Sequence, residues 1–377
     1  MQKYILFTIL AGFLAASFQN GNEKITRKYP AAIKGDIHHI VPHVIDFTDT
    51  IPNDTLLEYT GADGTPLMFS RNILTGVCID GECRFVSIEL FWNPTGRYMG
   101  FELPINEFLS KTEHEPFLSP DYDRLHQLLA DPLSALAHYS LNELVPVTDS
   151  TKKEVDAVSS ATVAAVLDYI VEGAVYTTYT LWHIVYGQTK REIEALTAAK
   201  LSAKMVLQLL ESEKTEDKVW ALNHISANMD ITHELSDTLI SIISGNDVYL
   251  AERAINALPV NIDDNNMQLR LAGLFAKAGF LQKRLIIQKL GETNRLETET
   301  VESIARELGS LNGTLVKNVL ELFQNQRVNN AVAVSEAASL LKHQNRYIVS
   351  QAVKYLESLE NIDAKTKKEL EKFRKKG

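Results

Sequence analysis

From about Gln188 onward the chain repeats itself, and this narrows its fold more than any other feature. Ala221-Leu222-Asn223-His224-Ile225, Ala254-Ile255-Asn256-Ala257-Leu258, Ile286-Ile287-Gln288-Lys289-Leu290 and Asn318-Val319-Leu320-Glu321-Leu322 align at a period of about 32 residues, and Val353-Lys354-Tyr355-Leu356 continues the series. Turn residues at Gly245-Asn246-Asp247, Gly279 and Gly313 separate helical stretches. A helix pair of this length cannot bury its apolar face alone. Neighbouring pairs must stack, which predicts an all-α array over 188–377.

The preceding segment reads differently. From about Leu57 to Leu103 the runs Leu67-Met68-Phe69, Gly76-Val77-Cys78, Arg84 to Trp92 and Arg97 to Leu103 favour strands, the third with clear period-two alternation. Asn93-Pro94-Thr95-Gly96 is a turn between the last two. An antiparallel sheet of three or four strands follows. Helices are predicted around Tyr122–Leu129, around Pro132–Tyr139 and over about Ala161–Tyr186. The last carries Tyr176, Tyr179, Trp182, His183 and Tyr186 on one face, which suits packing against the sheet better than stacking on a cofactor ring. The expected fold class is therefore α+β: a small antiparallel sheet with helices over 55–187, then the helical repeats.

The helix pairs of 188–377 resemble short HEAT-type repeats. Such arrays bind partners on a concave face or act as rigid supports, so the resemblance implies a possible protein partner there. Nothing catalytic is legible in them.

Residues 1–18 read as a Sec-type signal peptide, with Lys3, an apolar run from Tyr4 to Phe18 and the small residues Ala15-Ala16-Ser17. That run is shorter than a membrane span, and the sequence turns polar at Gln19, so no span is expected in the mature chain. The expected location is periplasmic or extracellular. Residues 19–54, with Pro30, Pro42 and Pro52, read as an irregular arm. A formal charge of −10 argues against nucleic acid and anionic membrane surfaces as partners.

Two cysteines, Cys78 and Cys83, flank Ile79-Asp80-Gly81-Glu82. Asp-Gly suits a two-residue hairpin turn, in which the cysteines form a facing pair about 4.5 Å apart at Cα. In an oxidising compartment this predicts a structural disulfide closing a small loop. A redox-active or metal-binding pair is the sharper and less favoured alternative.

The run Val155-Asp156-Ala157-Val158-Ser159-Ser160-Ala161-Thr162 resembles the Asp-x-x-Ser/Thr-Gly-Ala-Thr signature of FMN-binding domains, in which the last Thr is esterified to the FMN phosphate. The resemblance implies covalent FMN on Thr162. Asp156 and Ser159 would position the turn, and Ser160 and Ala161 would offer backbone N–H groups. Small residues at a helix N-terminus suit a phosphate. Ser160 stands where the family has Gly, which would allow closer backbone approach. By resemblance the protein is an exported flavoprotein, an electron-transfer relay rather than a turnover enzyme, matured by a flavin transferase and served by a redox partner protein. The competing reading makes Ser159 or Ser160 a helix N-cap and the protein a non-enzymatic secreted scaffold.

Two further constellations carry weaker signals. His38-His39-x-x-x-His43 has metal-ligand spacing but lies in the Pro-bounded arm. Thr112-Glu113-His114-Glu115-Pro116 with Asp121, Asp123 and His126 is dense in polar groups, though Ser119-Pro120-Asp121 also reads as a helix start with acids in its first turn. No nucleophile elbow, phosphate-cradling Gly-Lys loop or His-Glu-x-x-His helix occurs.

Overall fold

A computed structural model describes residues 24–49, 54–76, 85–111, 114–144, 167–225, 229–259, 265–360 and 362–374. The chain divides into two compact units, Met1–Ala31 with Gly35–Glu194, and Ala32–Lys34 with Ala195–Gly377. The fold is α+β.

The first unit holds a six-stranded antiparallel sheet of β1 (Ile25–Lys28), β2 (His39–Val44), β3 (Thr55–Thr60), β4 (Pro66–Gly76), β5 (Phe85–Trp92) and β6 (Tyr98–Leu103), in the order β1-β6-β5-β4-β3-β2. Strands β2 to β6 form a meander, and β1 adds to its far edge. The expected three or four strands are thus six, because the arm supplies both edges. Neither edge strand announces itself in sequence: β1 is the mostly polar Ile-Thr-Arg-Lys, and β2 is interrupted by Pro42. An edge position tolerates that proline, which lacks a ladder donor.

Facing partners Leu56↔Arg71, Arg71↔Leu90, Leu90↔Phe101 and Phe101↔Arg27 lay one row across five strands. Facing residues share a side of the sheet. That side carries Leu56, Phe69, Ile73, Ile88, Leu90 and Phe101, all fully buried. It is covered by α1 (Ser119–Leu129) and α3 (Val175–Tyr186), with the short α2 (Leu141–Leu144) beside α3. The turn between β5 and β6 forms as expected. The Asn93 side-chain oxygen accepts from Thr95 N, Thr95 Oγ1 and Arg97 N, and Gly96 takes a φ of 73° that favours glycine.

The long helix expected over Ala161–Tyr186 is described only from Val175. Residues Leu167–Tyr169 form a 3₁₀ turn, and Gly173 follows with a φ of 73° before the helix begins. At the far end a Cβ on Gly187 would lie 2.4 Å from His183 O, so glycine permits the sharp break into α4 (Gln188–Ala199).

The second unit is helical among its described residues: α5 (Ala203–Leu210), α6 (Thr215–His224), α7 (His233–Ser244), α8 (Val248–Ala257), α9 (Asn265–Lys277), α10 (Phe280–Gly291), α11 (Thr298–Glu307), α12 (Gly313–Asn325), α13 (Ala331–Ser339), α14 (Arg346–Glu357) and α15 (Ala364–Arg374). The even-numbered helices α6 to α14 begin at residues 215, 248, 280, 313 and 346, intervals of 33, 32, 33 and 33. Each even helix packs on the next even one, and each odd helix on the next odd one. Their buried stripes are aliphatic, as in Leu315, Val316, Val319, Leu320 and Phe323 of α12. N-caps recur at Ser202, Thr232, Asp247, Asn312, Asn330 and Asn345, each accepting from a backbone N–H of its helix. No described helix is long and apolar enough to cross a membrane.

Candidate functional site

The flavin signature residues Asp156, Ser159, Ser160, Ala161 and Thr162, the leader 1–18 and the Cys78–Cys83 pair lie outside the described residues. What the structure does show near the signature is the position of α3. That helix starts thirteen positions after Thr162, so its N-terminus is not the helix end that the sequence placed at the proposed phosphate.

The aromatic face of α3 packs within its own unit. Trp182 Nε1 donates to Asp131 O at 2.9 Å and Tyr186 Oη to Leu129 O at 2.9 Å, fastening α3 to the end of α1. Trp182 and Tyr186 rings lie 4.8 Å apart, and Tyr179 stands 4.0 Å from His183.

The His38-His39-His43 spacing does not converge. His39 and His43 fall on one extended strand four residues, about 13 Å, apart. His43 instead sets Nε2 2.7 Å from the carboxylate of Glu58, which is fully buried on the helix-covered side of β3. Among the described residues no group of three His, Cys, Asp or Glu is placed to hold a metal ion.

A second buried charge, Arg71, sits between Phe69 and Ile73 on the same side. Its guanidinium bonds Asp49 through both terminal nitrogens at 2.5 and 3.0 Å, donates to Thr189 Oγ1 at 3.0 Å, and lies 3.6 Å over the Phe47 ring. Gln188 accepts from Thr48 N and donates to Asp46 O. Arg71 and Gln188 thereby clamp residues 46–49 onto the start of α4. A buried guanidinium held by a bidentate carboxylate is an anchor, and this one has no open coordination toward solvent.

In the polar run from Thr112 to His126, of which Thr112 and Glu113 lie outside the described residues, Asp121, Asp123 and His126 take structural roles. Asp121 accepts from Leu118 N at the start of α1 and pairs with Lys111 at 2.9 Å, as the helix-start reading expects. Asp123 pairs with Arg27 of β1. His126 enters the core: its Nδ1 is 3.0 Å from Tyr98 Oη, and its ring stacks on Tyr29 at 4.1 Å. Burial, with a smaller contribution from Arg27, lowers its pKa from 6.5 to about 4, so the imidazole is neutral at pH 7. Burial likewise pushes the Tyr98 phenol well above its ordinary range.

On the other side of the sheet, Tyr59, Ser70 and Glu89 form a hydrogen-bonded chain, with Asn72 linking Glu89 to Ser87. Glu89 faces Glu102 across β5 and β6. Like charges so placed repel. Lys24, 2.7 Å from Glu102, offsets this and is the main cause of that carboxyl's lowered pKa.

The helical unit offers surface. Helical geometry puts the second, sixth and ninth residues of each even helix on one side. In α8 these are Tyr249, Arg253 and Asn256, and Arg253 lies 3.3 Å over the Tyr249 ring. In α6 they are Glu216, Trp220 and Asn223. Trp220 is buried with its indole N–H unbonded, and its ring stacks on His224 at 4.0 Å. The sequence drew attention to neither Trp220 nor Arg253; aligning the repeats by helix start would have set them at one position.

The sequence matches no known protein family and no characterised protein.

Proposed function

We propose that the second unit is a HEAT-like stack of helix pairs, exported from the cytoplasm, that binds a partner protein. The observation carrying this is the regular succession of even helices at 32–33 residues, each packed on the next. Such regularity sets equivalent residues of successive helices side by side, which produces a long surface of repeated chemistry. The buried charges of the sheet unit, Arg71 and Glu58, are held by Asp49 and His43. The test is cross-linking of the full chain in its native extracellular or periplasmic fraction, followed by mapping of the linked peptides. A defined protein linked reproducibly to α5–α15 is the expected result. Links confined to the sheet unit, or none, would overturn it.

A second reading, carried by the run Asp156 to Thr162, is that of a covalent flavoprotein relaying electrons to a redox partner. FMN would supply the redox chemistry, attached through its phosphate to Thr162 by a flavin transferase. Protein co-exported with such a transferase should gain the mass of FMN on the peptide holding Thr162, and Thr162→Val should abolish the gain. Unmodified wild-type protein would return the run to a helix cap.

A further inference from the structure

We propose that β1 is an acid-released strap: protonation of His126 beneath it detaches residues 25–29 from β6 while the other five strands stay paired. The device lies within the sheet unit and does not depend on what the helical unit binds.

Little holds β1 in place. It is an edge strand with one neighbour, paired from Ile25↔Leu103 to Lys28↔Gly100 and once more through Tyr29 N to Met99 O at 2.7 Å. Pro30 follows and has no N–H, so the ladder ends there. Three side chains fasten the strand. Lys24 pairs with Glu102 at 2.7 Å, Arg27 reaches Asp123 at 2.5 Å and Ser119 at 3.0 Å, and the Tyr29 ring stacks on His126 at 4.1 Å. Gly100 permits this close seat, since a Cβ there would lie 2.1 Å from Arg27 O.

The third fastening can be undone by a proton. His126 reaches from α1 into the space between β1 and β6, where Tyr29 covers one face of its ring and Phe101 meets its edge. The charged and titratable groups facing it are Arg27 and Tyr29 of β1, Tyr98 of β6, Asp123 of its own helix and, across Tyr98, Tyr186 of α3. Nδ1 lies 3.0 Å from Tyr98 Oη and accepts its proton, because the buried phenol has no other acceptor among the described residues. A proton on Nδ1 would orphan that hydroxyl and set a second cation near Arg27. Both costs are relieved when Tyr29 lifts and water reaches the ring.

The covered imidazole has a pKa of about 4, against 6.5 when exposed. Below pH 6.5 the open form therefore binds a proton that the closed form refuses. Detachment is unaided above that value and increasingly favoured as pH falls toward 4. From pH 7 to 5 the ratio of open to closed should rise about twentyfold. Lys24 holds the Glu102 carboxyl below its ordinary range, so that pair stays charged over this interval.

Hydrogen exchange of the full-length protein, corrected for the intrinsic effect of pH on amides, provides the test. The amides of Arg27 and Tyr29 should exchange about twentyfold faster at pH 5 than at pH 7. Low concentrations of urea should leave those rates unchanged, since so small an opening exposes little surface. Amides of β4 and β5 should exchange more slowly and respond to urea as the whole unit does. In His126→Phe, which keeps a ring under Tyr29 but cannot titrate, the β1 rates should be equal at the two pH values. In Tyr29→Ala the NMR titration midpoint of His126 should rise from about 4 toward 6.5. Unchanged circular dichroism confirms that both variants fold. The proposal is overturned by β1 rates that ignore acid, that rise equally in His126→Phe, or that follow urea as β4 does. A His126 midpoint still near 4 without the Tyr29 ring would overturn it too.

Discussion

Each of the two units is held together internally by bonds of a different reach. In the sheet unit, the polar fasteners join residues far apart in sequence: Arg71 to Thr189 across 118 positions, Trp92 to Val185 across 93, and Arg27 to Asp123 across 96. In the helical unit they join residues much closer in sequence. Gln326 donates to Thr293 O across 33 positions, Tyr355 to Val328 O across 27, and Gln282 to Gly245 O across 37. The first unit therefore closes only when its chain ends meet. If the second is the stack of helix pairs proposed above, it adds one pair at a time, with stability close to a sum of local terms. Damage should spread through the first and stay local in the second.

The strongest test of that contrast is Arg71→Ala. It strips Asp49 of its bidentate partner, leaves Thr189 Oγ1 without that donor, and leaves residues 46–49 held to α4 through Gln188 instead. Breaking a buried pair by removing one member costs about 3–5 kcal/mol. In chemical denaturation the transition of the sheet unit should move to markedly lower denaturant, while that of the helical unit keeps its midpoint. A joint shift of both would break the comparison.

Acid should discriminate the units nearly as well. The folded-state pKa of His126 is lowered from 6.5 to about 4, so below pH 6.5 the unfolded chain binds a proton that the folded chain refuses. This contribution is fully present above pH 6.5 and is lost as pH falls toward 4, in total about 3 kcal/mol. The sheet unit should lose that much stability between pH 7 and 4, and His126→Phe should remove most of the slope. A slope unaltered in the variant would place the titration elsewhere.

How much of this was legible beforehand follows the same division. The period of the helical segment is written in short-range pattern, and the helices lie where aligned Leu, Ile and Val placed them. The alternation of β5 and the Asn93–Gly96 turn are also local signals. The edge strands were not legible, because Ile25–Lys28 and His39–Val44 form by pairing with Leu103–Gly100 and Thr60–Thr55 rather than by their own propensity. Alternation in β4 does put Arg71 in phase with Phe69 and Ile73, and in β3 Glu58 in phase with Leu56. A charge at a core-facing position was thus readable, but its partners, 15 to 118 residues away, were not. Trp220 and Arg253 become visible as a pair only when the repeats are aligned by helix start.

Within the helical unit the effects should be smaller and confined. Gln268 is fully buried and serves the next helix entry: Nε2 donates to Arg295 O and Oε1 accepts from Glu297 N, both at 3.0 Å. Gln268→Leu leaves both backbone groups unbonded at about 2 kcal/mol. Hydrogen exchange should quicken at α9 and α11 while the amides of β3 to β6 keep their protection.

The smallest change gives the sharpest reading. Asn312 caps α12 by accepting from Leu315 N at 3.0 Å and makes no other role necessary for itself, being exposed at the helix start. Asn312→Ala should cost about 1 kcal/mol. If stability in this unit is a sum of neighbour terms, hydrogen exchange will rise in the first turn of α12, less in α10 and α14 that flank it, and not in α6, two helices beyond α10. A uniform rise from α5 to α15 would show instead that the unit melts as one body. The periodic spacing would then describe how its helices are arranged but not how their stability is shared.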